Sequence, residues 1–367
     1  MTSQESLFKL LRIALGKEEP SGFPEEVDWY AVHALSAKQN VAGLACEGIL
    51  QCPEVAIDED LRYMWMGYGM VTERAFNKQW SVACRLADLW SEKGLSTFAL
   101  KGLAIAQHYP NPVTRACVDV DVYVCGADNR ELSEAAWRTS NAAVRELGIE
   151  VDTGDYRHSI FTWNDVKVEN HRICASSVKG KKSAKHLDAY MKSLIADQSG
   201  KDGNYIHGSK VQCPPPMFNL VFFMQHAYSH FLSGSITLRH ICDWGVLVDA
   251  YRENGKDFWD DYAEVCETYG FKRFSDAMTR LLSPICGIVA DWIVGDGKLQ
   301  ECDNKLLQDC LDSESGEITY EGSFKTHLQI ARNQIRGRWK YRCFSECSLA
   351  GALVTSFWGV LTSRNDD

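Results

Sequence analysis

The sequence predicts an α+β protein in which a small, mixed-sheet α/β unit is embedded in a mostly helical chain. Apolar residues recur at helical spacing on both flanks, at Leu7, Leu10, Leu11, Ala14 and Leu15 and again through 217–231 and 238–251. Between these flanks, CVDVDVYVC at 117–125 alternates with a period of two. Two further runs, 156–163 and 165–173, read as strands joined across an Asn164-Asp165 turn signal.

The boundaries fall where the period changes. Residues 1–93 read as an N-terminal helical domain, punctuated by Gly16, Pro20-Ser21-Gly22 and Pro53. It closes on a long segment, 60–93, carrying Met64, Trp65, Tyr68 and Val71. After Gly94, LSTFAL is a short apolar run suited to a buried strand, and ALKGLAIAQHY returns to helical spacing. The strand at 117–125 places Val118, Val120, Val122 and Val124 on one face and Asp119, Asp121 and Tyr123 on the other. A helix over 129–147 and the two later strands complete the unit, 94–175. The remainder, 176–367, reads as a C-terminal helical domain, with 179–185 and 197–203 as its expected loops.

Composition narrows the class. The chain has 367 residues and carries 39 Lys plus Arg against 49 Asp plus Glu, a formal charge of −10; this argues against a surface that is one large nucleic-acid clamp, though not against a local basic site. The 14 cysteines contain no C-x-x-C pair, so no disulfide framework is expected. The N-terminus lacks the apolar run of a signal peptide. The apolar stretch at 349–362 is shorter than the roughly 20 residues a membrane span needs. The expectation is a reduced, cytoplasmic protein with no transmembrane segment. The basic runs at 179–185 and 332–342 are candidate contacts for an anionic partner, with solvated surface as the simpler reading. With the apolar stretch behind it, 332–362 would also fit contact with a membrane surface.

The chemistry concentrates on the alternating strand. Asp119 and Asp121 at i and i+2 point the same way, and two like charges that close suit a shared cation such as Mg²⁺. Lys101-Gly102 ends a strand and opens a helix, a place that favours phosphate, and Arg115 lies four residues before Asp119. In VKVENHRI, Lys167, Glu169 and His171 share a face. If that strand pairs near Asp119 and Asp121, Glu169 adds a third carboxylate. Such a set suits a nucleoside triphosphate with one or two divalent metals. His226 and His230 are four apart on one helix, a metal-ligand spacing, but the Glu of an H-E-x-x-H motif is missing and a helix contact is the simpler reading. Arg239 and Asp243 are spaced as an i,i+4 ion pair.

FALKGLA, then HYP, TRACVDVDVYV and VENH resemble an uncharacterised nucleotidyltransferase family of the DNA polymerase β-like superfamily, over about two-thirds of the chain. The resemblance implies a nucleotidyltransferase core embedded between the helical domains, with Mg²⁺ or Mn²⁺ held by Asp119, Asp121 and Glu169. Lys101, Gly102 and Arg115 would face the NTP triphosphate. His171, on the face of Glu169, could touch a phosphate or orient Glu169, with a structural hydrogen bond as the simpler reading. His226, His230, Arg239 and Asp243 would stand behind the site or on the side of an acceptor, itself a small molecule, protein or RNA. The superfamily's usual glycine-serine pair is replaced here by Lys-Gly-Leu, which removes a hydroxyl donor to phosphate. That departure motivates a second reading, a catalytically silent nucleotide-binding or regulatory protein that keeps the fold. A third is a metal-dependent hydrolase using His226, His230 and Asp243.

Overall fold

Side-chain caps set the first helices. Thr2 forms a capping box with Glu5 to open α1 (Ser3–Ala14), and Asp28 accepts from the Ala31 N–H to open α2 (Trp29–Lys38). After α3 (Ala42–Leu50), Asp58 caps α4 (Glu59–Ser91), the long segment expected from sequence. The structure, a computed structural model, describes residues 1–24, 26–127, 134–175, 180–196, 204–313, 335 and 337–345.

The α/β unit follows as β1 (Leu95–Ala99), α5 (Lys101–Ala106), β2 (Val120–Gly126), α6 (Glu134–Glu146), β3 (His158–Trp163) and β4 (Val166–His171). Beyond α7 (Lys181–Ala196), β5 (Val211–Gln212) returns to the sheet. The strand order is β3-β4-β2-β1-β5. β1 runs antiparallel to β2 and parallel to β5, β2 runs parallel to β4, and β3 and β4 form a hairpin. Its turn residues, Asn164 at φ 50° and Asp165 at φ 54°, take the left-handed conformation that a two-residue hairpin of this hand requires. The chain is therefore α+β with a mixed sheet flanked by helices. At two residues, β5 is too short to leave a periodic signature, and the sequence reading had no place for it.

The helices α8 (Pro216–Ser233), α9 (Leu238–Ala250), α10 (Lys256–Tyr269), α11 (Lys272–Arg280), α12 (Leu282–Cys286), α13 (Asp291–Val294), α14 (Glu301–Asp312) and α15 (Arg338–Phe344) complete the described chain. One sheet face packs Val120, Val122, Val124, Val166 and Val168 against Ala83, Leu86 and Trp90 of α4 and Val144 of α6. From the other face, Phe98, Tyr123 and Cys125 join a larger core running from Leu7 of α1 through Phe218 and Phe223 of α8 to Phe344 of α15. The N- and C-terminal helices thus share one apolar interior.

Three further details differ from, or lie beyond, the sequence reading. The central strand begins at Val120, and Val118 is 61% exposed instead of lying on the buried valine face. The backbone there is held by side chains: Arg115 and Arg239 each donate to the Ala116 carbonyl oxygen, so the chain enters the ladder three residues late. Cys302 and Cys343 form a disulfide that ties α14 to α15. Lys340, within the basic run, is buried, donating to the Phe231 carbonyl and pairing with Asp309, so its charge is engaged inside the protein. The 349–362 stretch and the 197–203 loop lie outside the described residues. Among the described residues no helix is long and apolar enough to cross a membrane.

α1 and α3 approach closely because Gly48 has no side chain; a Cβ there would stand 2.3 Å from the Leu10 carbonyl oxygen. Gly48→Ala is expected to destabilise the fold by about 1–3 kcal/mol, since backbone on both sides must move. Comparison of the denaturation midpoints of the two proteins measures it.

Candidate active site

The site is built on the β2–β4 pairing. In register, Asp121 lies opposite Glu169 and Tyr123 opposite His171, so period-two alternation sends Asp121, Glu169 and His171 to the sheet face that α8 covers. The intervening Asn170 points the other way. Its side chain donates to Ser140 Oγ at 2.8 Å and Asn141 Oδ1 at 3.0 Å, and the Trp137 indole donates to its carbonyl oxygen at 3.0 Å. α6 thereby fixes β4 from behind.

Two cationic or donor groups converge on one oxygen of Asp121, itself 3% exposed: Lys101 Nζ at 2.6 Å and His171 Nε2 at 2.7 Å. Burial opposes ionisation of this carboxyl, but Lys101 and the His171 hydrogen bond hold it well below the usual carboxylate range. Lys101 itself stands at the β1–α5 junction with φ 42°, an uncommon conformation for a residue with a Cβ, and burial opposes its charge too. The charges of Asp121, Asp119 and Glu169 outweigh that burial and raise its pKa. Glu169 takes Lys167 Nζ at 2.8 Å on Oε1 and lies 3.8 Å from His171 Nε2 through Oε2. Ligand atoms of Asp121, Glu169 and His171 all fall within 4.8 Å of one another, close enough to hold a metal ion together. Asp119 stands beside this group. Burial, then the charges of Asp121 and Glu169, push its carboxyl up to about 7.

The other candidates divide. Arg115 does not turn to the carboxylate cluster; its fork grips Asp243 with Nε–Oδ1 at 2.9 Å and Nη2–Oδ2 at 2.7 Å, and the Tyr109 hydroxyl adds a 2.8 Å bond to Oδ1. Asp243 is therefore engaged by a residue 128 positions away, not by Arg239 on its own helix. Gly102 lets this arrangement close, because a Cβ there would meet Arg115 Nη1 at 3.2 Å and Cys117 Sγ at 3.3 Å. His226 and His230 face each other, Nε2 to Nε2 at 2.9 Å, and His230 Nδ1 meets Ser235 Oγ at 2.8 Å. Burial and the nearby positive charge of Lys101 push both imidazoles down, His230 to about 4, so both are neutral at pH 7.

Two residues that the sequence reading passed over also line the site. Phe222 on α8 meets the His171 ring edge-on at 5.8 Å, and Lys101 Nζ lies 6.0 Å from its centroid. Its signal was available, since Phe222, His226 and His230 sit at i, i+4 and i+8 on one helix face. His158 on β3 stacks obliquely on His171 at 5.4 Å. Nothing in the sequence marked it, because its place depends on the β3–β4 register.

A family model described as an uncharacterised nucleotidyltransferase matches residues 25–286 of this chain. No curated protein and no solved structure matches it.

Two outcomes follow from the charges. Asp119 ionises near 3.8 when unfolded but near 7 when folded, so the folded state holds its proton longer and stability falls as pH rises from about 4 to about 7. Asp119→Asn abolishes that component: its melting temperature exceeds wild type at pH 8, and the difference closes near pH 4. Asp243→Ala leaves the Arg115 guanidinium buried without its carboxylate and is expected to cost about 3–5 kcal/mol, read as a lowered denaturation midpoint.

Proposed function

The chain belongs to this family of uncharacterised nucleotidyltransferases, and on that premise we propose that it transfers a nucleoside monophosphate from an NTP to an acceptor. The observation that carries the reading is the parallel register that sets Asp121 beside Glu169, with Lys101 already seated on Asp121 as a positive charge. A carboxylate pair that draws a largely enclosed cation is a site suited to a divalent one, and oxygen donors favour Mg²⁺ or Mn²⁺. Asp119, Asp121 and Glu169 would hold it, with His171 orienting Asp121 through their hydrogen bond. Bound there, such an ion supplies charge neutralisation for the polyphosphate and acidifies an acceptor hydroxyl.

The chain's own groups do the rest. The acceptor is a hydroxyl or phosphate oxygen that attacks the α-phosphorus in line; the bond to the β-phosphate oxygen breaks and pyrophosphate leaves. Where the acceptor is a hydroxyl, its proton passes to a Glu169 carboxylate oxygen. Lys101, at the strand-to-helix junction, pairs with a phosphate oxygen. Phe222, lying over Lys101 and His171, keeps bulk water from the reacting groups.

The test is incubation with each α-labelled NTP in Mg²⁺ or Mn²⁺, with binding and pyrophosphate release followed separately. Asp119→Ala/Asp121→Ala is expected to lower metal-dependent NTP binding at least about 100-fold, beyond the 10–100-fold typical of losing a residue that merely orients a ligand. Tight metal-dependent binding in the double variant would overturn the site. Binding without pyrophosphate release across acceptor classes would instead favour the silent nucleotide-binding reading that the Lys-Gly-Leu sequence motivated.

A further inference from the structure

Arg239 is a partly buried cation whose natural partner is taken. On α9 it stands one turn from Asp243, but both carboxylate oxygens of Asp243 are committed to Arg115, and Oδ1 also to Tyr109. Arg239 keeps a single 3.3 Å bond, from Nη1 to the Ala116 carbonyl oxygen, and no ion pair among the described residues. Its Nε is buried and has no hydrogen-bond partner among the described residues. Asp243 still acts on it as a charge, but a guanidinium with a buried, unpaired Nε leaves a donor unsatisfied, and its planar fork is shaped for two oxygens of one anion.

The neighbours point the same way. His240, 3% exposed, accepts the Thr237 N–H at Nδ1, so in its neutral form the proton sits on Nε2, and that buried donor also lacks a partner among the described residues. The His240 ring lies 5.1 Å from that of His230, which in turn bonds His226. His226 and His230 both feel the charge of Lys101, and His230 feels that of Asp121, so this group borders the carboxylate cluster. Arg239, Lys101 and the His240 Nε2 donor together offer cations and N–H groups, with Asp243 committed to Arg115 and Asp121 to Lys101 and His171.

His240 and His230 flank Arg239, and the His230 ring also feels the charge of Lys101. We infer that Arg239, with these two histidines beside it, is the receptor for a phosphate group delivered to the carboxylate cluster. The inference rests on the nucleotidyltransferase reading and names the chemistry of one subsite within it. The phosphate comes from one of two sources, the polyphosphate tail of the NTP or a phosphate on the acceptor.

Calorimetric titration of the full chain in Mg²⁺ separates them, using tripolyphosphate as one probe and, in the presence of a saturating non-hydrolysable NTP, orthophosphate as the other. Arg239→Gln is compared with wild type and with Arg239→Lys, which keeps the charge. A loss of about tenfold or more in tripolyphosphate affinity, largely restored in the Lys variant, supports the inference and assigns the tail. Unchanged tripolyphosphate binding with orthophosphate binding lost supports it and assigns the acceptor. Wild-type affinity for both probes in Arg239→Gln, or no binding of either probe by wild type, overturns it. Mn²⁺ titration run in parallel reads the carboxylate cluster by itself: Arg239→Gln keeps Mn²⁺ affinity, whereas Asp121→Asn loses it if the proposed function holds. Failure of the phosphate subsite and failure of the metal site are thereby told apart.

Discussion

The parallel pairing of β2 with β4 is the constraint on which the rest of the site depends. Because side chains alternate along a strand, a slip of one residue would turn Glu169 and His171 into the valine core and bring Val168 and Asn170 out towards Asp121. The register is held by apolar packing of Val120, Val122 and Val168 against α4 and α6 on one face. It is also held by the Trp137, Ser140 and Asn141 bonds to Asn170. Carboxylates can be brought together only where such packing repays their repulsion.

Charge compensation then explains the shape of the surroundings. Lys101 takes a left-handed backbone conformation at the end of β1, and its ammonium rests on Asp121 at 2.6 Å. Arg115 and Asp243 form a second, bidentate pair that ties the segment before β2 to α9. These are different devices. The Arg115–Asp243–Tyr109 group is closed on itself and fixes geometry, whereas the acidic cluster beside Lys101 and the guanidinium of Arg239 each retain unmatched charge or donors. A fold that satisfies one buried group fully and leaves its neighbours incomplete marks where a ligand contributes.

α8 supplies the wall opposite the sheet. Its 18 residues are apolar on most sides, burying Phe218, Leu220, Val221 and Phe223, while Phe222, His226 and His230 line up along the face towards Lys101. The same helix packs in the core that reaches back to α1, so the wall is anchored by both ends of the described chain.

The sequence by itself determined whatever a short stretch of backbone can decide. The alternation of DVDVYV and VKVENH separated acid-bearing from valine faces, Asn164-Asp165 specified its hairpin turn, and LKG, DVDVYV and VENH carried the family resemblance that the match over 25–286 supports. Periodicity of two or 3.6 is a property of the local chain, so it is written in the residues that follow one another. What depends on contacts across the chain was decided by the tertiary structure alone. Asp243 was readable as the partner of Arg239, four residues away, yet Arg115 claims it from 128 positions distant. β5 joins β1 through a two-residue ladder, Val118 turns to solvent because Ala116 is bonded to two arginines, and His158 reaches His171 through strand pairing. None of these leaves a periodic trace, because a long-range partner is chosen by packing and by competition for buried charge rather than by sequence spacing.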